Sequence, residues 1–242
     1  MRILKAILFL SLILFPALSI AGGNTTNDSF NKAKKRLLNQ VYYDHRETFY
    51  CGCPFTMKKK VGLQADKFSP STKYRKRADR IEWEHVVPAQ SFGQSFREWR
   101  NGDPACVDKK GKAFKGRNCA QKVNMEYRYM QADMYNLVPA IGQVNALRSN
   151  YSYAMIPGEP RRFGNCDMEI EDRKAEPRPE IRGDIARIYF YMDDAYPGRG
   201  IISKKNRKLF QAWAKEDPID DWERERAKRI EAVQGTKNKF VQ

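Results

Sequence analysis

Apolar residues recur at helical spacing along several stretches of the chain and gather into a β-prone run in one. Phe30, Ala33, Leu37 and Val41 form a stripe opposite lysines, which predicts a helix over 28–42 capped by Asp28. Tyr127, Met130, Met134 and Leu137, spaced by 3, 4 and 3, predict a second helix over 124–137 that Pro139 closes. Residues 92–99 read as a short helix. Three more are expected over 184–196, 203–215 and 220–233, the last stopped by Gly235, with Trp213 and Trp222 in the core. Residues 48–55 are β-prone. The run R-I-E-W-E-H-V-V-P-A over 80–89 reads as a strand, because Ile81, Trp83, Val86 and Val87 are β-branched or aromatic. Pro88 cannot donate to a ladder, so the strand bends or ends there. Residues 22–27 read as a loose polar leader, 101–117 as a structured loop and 151–180 as an irregular surface excursion. No repeat or linker interrupts this order, which predicts one domain over 22–242.

Candidate chemistry centres on that strand, which holds Glu84 and one of only two histidines, His85. Neighbouring side chains on a straight strand face opposite ways, so Glu84 and His85 can share a site only if the chain turns there. A carboxylate beside an imidazole suits two tasks, holding a cation and moving a proton. His45, in the charged turn Asp44, His45, Arg46 and Glu47, has no acidic or thiol partner at ligand spacing and reads as solvated. Asn136 falls in the last turn of the helix predicted over 124–137, where its amide can aim into a cleft. The block G-Q-V-N-A-L-R-S-N over 142–150 is densely polar around a small apolar spine.

Residues 1–21 carry the marks of a secretory signal: Arg2 and Lys5, a short apolar core over 7–15, Pro16, and Ser19-Ile20-Ala21 as the cleavage pattern. The apolar run is too short for a membrane span. Removing Arg2 and Lys5 lowers the formal charge of +16 to +14. In an exported protein such a surplus points to a polyanionic partner. Lys58, Lys59, Lys60 and the stretch 73–77 place cations just ahead of the candidate strand, where a phosphate backbone would use them. Export permits disulfides. Cys106 and Cys119 flank a Gly- and Lys-rich loop and are expected to pair; either Cys51 or Cys53 can reach Cys166, leaving one thiol over.

The chain resembles the bacterial endonuclease I family of exported, non-specific nucleases. The likeness rests on five ordered blocks: T-F-Y-C-G-C over 48–53, E-W-E-H-V-V-P-A over 82–89, residues 130–150, residues 182–192 and residues 221–235. It implies a mixed α/β domain of the α+β class, with a ββα-metal (His-Me finger) core and flanking helices, and metal-dependent hydrolysis of DNA, often RNA too, to 5′-phosphate products. It implies His85 as general base and Glu84 and Asn136 as ligands of one Mg²⁺, for which Mn²⁺ or Ca²⁺ can substitute in binding. Arg117 matches the family's phosphate-contacting arginine, with Arg100 as the fallback. A monomer, periplasmic or secreted and free of the membrane once the signal is removed, is expected. The sequence departs from the family at Tyr135, where His is usual, at Gln143, where Glu is usual, and at Arg224, where a cysteine is usual. A further family cysteine is missing near 65–71, which leaves Cys53 without its usual partner.

A neutral His85 near its ordinary pKa of ~6.5 could accept a proton from water. Glu84 and Asn136 are hard oxygen donors suited to Mg²⁺. Two rivals follow from the same residues: a non-catalytic, exported nucleic-acid-binding protein on this scaffold, and a membrane-active protein using a basic amphipathic helix from Asp28.

Overall fold

The computed structural model describes residues 22–62, 67–158 and 161–242; the signal sequence expected over 1–21 lies outside them. The fold is mixed α and β. Its centre is an antiparallel pair, β1 (Ile81–His85) and β2 (Leu137–Ile141), in the register Trp83↔Pro139 and His85↔Leu137. Helix α6 (Gly142–Arg148) follows β2 directly and packs back on the pair. Its first residue must be glycine: an added Cβ would meet the Arg77 carbonyl oxygen at 2.7 Å and the Glu82 carboxylate at 2.9 Å.

β2 corrects the helix predicted over 124–137. The chain forms α5 (Met125–Gln131), capped by Asn124, then a single 3-10 turn (Met134–Asn136) capped by Asp133, then the strand. Pro139 therefore lies inside β2 and closes no helix. Its missing N–H costs nothing there, because its carbonyl accepts from Phe49 N at 2.8 Å while β1 flanks only the other edge.

At the N-terminal side, α1 (Phe30–Arg36) is capped by Ser29 Oγ, which accepts from Lys32 N at 3.3 Å; Asp28 instead pairs with Arg128. A π-helical turn (Leu37–Val41) completes the predicted stripe. The short helix expected over 92–99 is two, α2 (Ala89–Gly93) and α3 (Arg97–Asn101), ahead of α4 (Arg117–Val123). The stretch 151–180 is more ordered than expected. It forms a small sheet in the order β3 (Ser152–Tyr153), β5 (Lys174–Pro177), β4 (Met168–Glu171), and it buries Tyr153, Phe163 and Met168. Three C-terminal helices follow as read: α7 (Arg182–Ala195), α8 (Lys204–Glu216) and α9 (Asp221–Gln234), the last ended by Gly235 in the left-handed region. Trp213 is buried and Trp222 is partly so.

The leader over 22–27 is not loose. Asn24 is buried, and its backbone N–H donates to Tyr196 Oη at 2.9 Å and toward Asp133 Oδ2 at 3.3 Å. The same Asp133 carboxylate accepts from Tyr191, Tyr196 and Gln234 side chains at 2.8–3.0 Å. Gln234 and Arg226, both on α9, also hold the backbone of the turn before β2, through Met134 N and the Met134, Tyr135 and Leu137 carbonyls. Disulfides join Cys106 to Cys119 and Cys51 to Cys166, and Cys53 is buried outside both, its thiol directed at the Cys51 carbonyl at 3.7 Å. Among the described residues no helix is long and apolar enough to cross a membrane.

Candidate active site

Period-2 alternation sends Glu82 and Glu84 to the face of β1 that α6 covers. Asn145 and Arg148, one helical turn apart on α6, meet them: Asn145 Nδ2 donates to Glu82 Oε2 at 3.2 Å, and Arg148 Nη1 to Glu84 Oε1 at 2.8 Å.

The chain bends just after Glu84 and His85, and both residues line one cleft. Val86 N bonds the Asn136 carbonyl at 3.1 Å. The Asn136 side chain then clamps Val87, accepting from its N–H at 2.7 Å and donating to its carbonyl at 3.0 Å. This differs from the expected role of Asn136. The side chain has no solvent access, both amide atoms bond Val87, and Asn136 is not among the residues that line the cleft.

The cleft itself has a volume of about 780 Å³ and takes in Glu84, His85, Arg117 and Asn145. Arg100, the fallback, is not among its walls; its guanidinium donates to the Gln94 carbonyl instead. Asn145 was not singled out from sequence. The signal available was its place in the polar block 142–150, immediately after the predicted site strand in space but not in sequence. With Nδ2 committed to Glu82, its Oδ1 is free of protein donors among the described residues.

His85 is buried, with its ring 4.9 Å from that of Phe30. Its Nε2–H donates to the Gln131 carbonyl at 2.9 Å, which leaves Nδ1 as the lone-pair nitrogen. Burial first, and the Arg117 charge second, push its pKa down to about 3, well below the ordinary value expected from sequence. The ring is therefore neutral throughout the physiological range. Burial raises the pKa of Glu84, opposed by the charge of Arg148. Lys34 is lowered by burial and by the like charges of Lys59 and Arg117. With Arg77 these cations make the cleft electropositive. Gln143, a departure from the family pattern, is buried and pins the basic segment beside the cleft: its Nε2 donates to the Ser71 and Lys73 carbonyls at 2.7 and 2.6 Å. A carboxylate could donate to neither. His45 lies apart from the cleft, stacked on Trp222 with ring centroids 3.7 Å apart.

Among the described residues no three His, Cys, Asp or Glu side chains gather closely enough to hold a metal by themselves. Donor groups that line the cleft are the carboxylates of Glu82 and Glu84, the amide of Asn145 and the imidazole of His85.

Comparison with known proteins gives a consistent result. The family profile described as Endonuclease I matches residues 29–242. The chain is 40% identical over 222 residues to an extracellular deoxyribonuclease of Aeromonas hydrophila, covering 87% of this chain and 88% of the relative. A periplasmic deoxyribonuclease of the same organism is also 40% identical, over 87% of this chain and 84% of its own. Endonuclease-1 of Buchnera aphidicola subsp. Acyrthosiphon pisum is 39% identical, over 89% of this chain and 81% of its own.

Proposed function

The chain belongs to the endonuclease I family, and from that premise we propose that it is an exported endonuclease that cuts DNA, and RNA as well, at the cleft between β1 and α6. The observation that carries this reading is the convergence of Glu84, His85, Asn145 and Arg117 on one electropositive cleft. The β1-β2-α6 unit supports a ββα-metal core. One hydrophobic cluster reaching from Ala33 to Ile230 supports reading residues 22–242 as one nuclease domain. The periplasmic and extracellular relatives support export to the periplasm or beyond the cell.

In this reading His85 Nδ1 takes the proton from the attacking water as the new P–O bond forms and the bond to the 3′ oxygen breaks, giving a 5′-phosphate and a 3′ oxygen that takes a proton from solvent water to become a hydroxyl. Donation from Nε2 to Gln131 fixes the tautomer and the ring plane, so the base needs no reorganisation during the step. Its low pKa keeps the base form fully populated. Arg117 braces non-bridging phosphate oxygens with a planar fork of donors. Glu84 and Asn145 would hold one Mg²⁺, in place of the Glu84 and Asn136 pair expected from sequence; when bound it neutralises phosphate and leaving-group charge. Lys34, Lys59 and Arg77 position the strand through its backbone, a contact that reads neither base nor sugar.

The test is digestion of plasmid and of total RNA by the mature protein with Mg²⁺, with EDTA, and by His85→Ala with Mg²⁺. Degradation is expected only in the first condition. Cutting that persists in EDTA removes the metal from the mechanism, and cutting by His85→Ala at the wild-type rate removes His85 as the base.

A further inference from the structure

Arg148 lies on the last turn of α6 with no exposure to solvent. Its guanidinium meets three acceptors at the end of β1. Nη1 donates to Glu84 Oε1 at 2.8 Å and to the His85 carbonyl at 2.9 Å, and Nη2 donates to the Val86 carbonyl at 2.7 Å. The group also lies over the Tyr153 ring, 4.6 Å from its centroid. Tyr50 Oη donates to the same Glu84 Oε1 at 3.2 Å and sits 2.6 Å from Tyr153 Oη. Oε1 therefore has two donors from behind, while Oε2 receives none among the described residues. The carboxylate cannot rotate without breaking both bonds.

We propose that Arg148 is a positioning residue that sets the protein's affinity for the divalent cation, by locking Glu84 so that Oε2 alone is presented to the cleft. The proposal rests on the reading of Glu84 as a cation ligand. Three features favour Arg148 over a purely space-filling role. A buried carboxylate without a counter-charge is costly, and Arg148 supplies one without occupying the open oxygen. Its fork spans a carboxylate and two backbone carbonyls at once, which an ammonium cannot do from one point. Those carbonyls belong to His85 and Val86, so the same group fixes the strand end that carries the general base. Partners that orient a metal-ligating side chain are typically worth roughly ten- to hundred-fold in metal affinity.

The experiment uses mature protein and Mn²⁺ as the probe, with free Mn²⁺ counted by electron paramagnetic resonance. Thermal unfolding in EDTA is followed in parallel, along with the Mg²⁺ dependence of plasmid cleavage. Arg148→Lys keeps the charge and loses the fork. It is expected to raise the Mn²⁺ dissociation constant and the half-saturating Mg²⁺ by roughly ten-fold or more. Its rate at saturating Mg²⁺ should return to within a few-fold of wild type, a recovery that a general loss of structure would not give. Tyr50→Phe removes only the second donor to Oε1 and is expected to raise the same constants by a smaller factor. Glu84→Gln should abolish Mn²⁺ binding. If Glu84→Gln binds Mn²⁺ normally, the ligand reading fails and takes the proposal with it. If Glu84→Gln loses binding while Arg148→Lys and Tyr50→Phe keep wild-type affinity, the proposal alone is overturned, whatever the melting temperatures do.

Discussion

Replacing Asn136 by alanine separates a backbone clamp from a metal ligand. The wild-type amide makes two hydrogen bonds to Val87, at 2.7 and 3.0 Å, where neither residue has any solvent access. Alanine leaves the Val87 N–H and carbonyl buried and unpaired, at about 1–3 kcal/mol each. Allowing for partial relaxation, the loss is roughly 2–5 kcal/mol. For a chain of this length about 1 kcal/mol moves the melting temperature by roughly 2–4 °C, so a fall of roughly 5–15 °C is expected. Activity should drop even at saturating Mg²⁺, because the loosened strand end carries His85, while half-saturating Mg²⁺ should rise by much less than ten-fold because the Arg148 and Tyr50 bonds to Glu84 remain. Asn145→Ala should do the reverse. Asn145 is only half-buried and its hydrogen bond to Glu82 is 3.2 Å long, so the melting temperature should barely move while half-saturating Mg²⁺ rises about ten-fold or more. The assay is thermal unfolding in EDTA beside plasmid relaxation across a Mg²⁺ series. An Asn136→Ala protein that melts like wild type but needs ten times more Mg²⁺ would refute the reasoning and return Asn136 to the ligand role.

Two further outcomes follow from charge. Folded His85 resists protonation down to about pH 3, while the unfolded chain accepts that proton near ~6.5. Between those values the unfolded state binds more protons, so stability falls as pH falls, by at most roughly 1.4 kcal/mol per pH unit. Urea unfolding in EDTA at pH 7 and pH 5 should show wild type losing more than His85→Gln; equal losses would contradict the burial of the ring. Duplex binding by His85→Ala should weaken steeply with salt. Lys34, Lys59 and Arg117 alone imply a log–log slope of about −3, and Lys59→Ala should flatten it by about one. A flat salt dependence would remove the electrostatic account.

β1 was legible because its apolar positions are β-branched or aromatic and a proline marks its end. β2 was not. Leu137–Ile141 is buried on both faces and so shows no alternation, and it carries a proline. The helical spacing through Tyr127, Met130, Met134 and Leu137 is real only as far as Gln131; the last two apolar residues enter the same core from a 3-10 turn and a strand. That error placed Asn136 at a helix end, where its amide reads as free to face a cleft, whereas it lies in a 3-10 turn with its amide on Val87. Glu84, His85 and Arg117, which line one cleft, each have a sequence neighbour that singles them out: a paired imidazole, a paired carboxylate, a nearby cysteine. Asn145 has no such mark. Its meaning comes from Glu82, sixty-three positions earlier, which only the packing of α6 on β1 brings alongside. The leader over 22–27 was misread for the same reason: its polar composition signals solvent, but its partners are the buried carboxylate of Asp133 and the hydroxyl of Tyr196.

That Asp133 carboxylate has a temporal meaning as well. It is joined to Asn24, to tyrosines of α7 and its end, and to Gln234 of α9. A chain made or passed through a membrane from its first residue onward presents Asn24, His85 and Asn145 early and Gln234 late. The turn ahead of β2, whose backbone is held by Gln234 and Arg226, receives its last fastenings only when α9 is delivered. The backbone around Asn136, whose side chain clamps Val87 beside His85, is thus fastened by a segment that follows it by some ninety residues or more, so this part of the cleft takes its final form only after α9 has arrived.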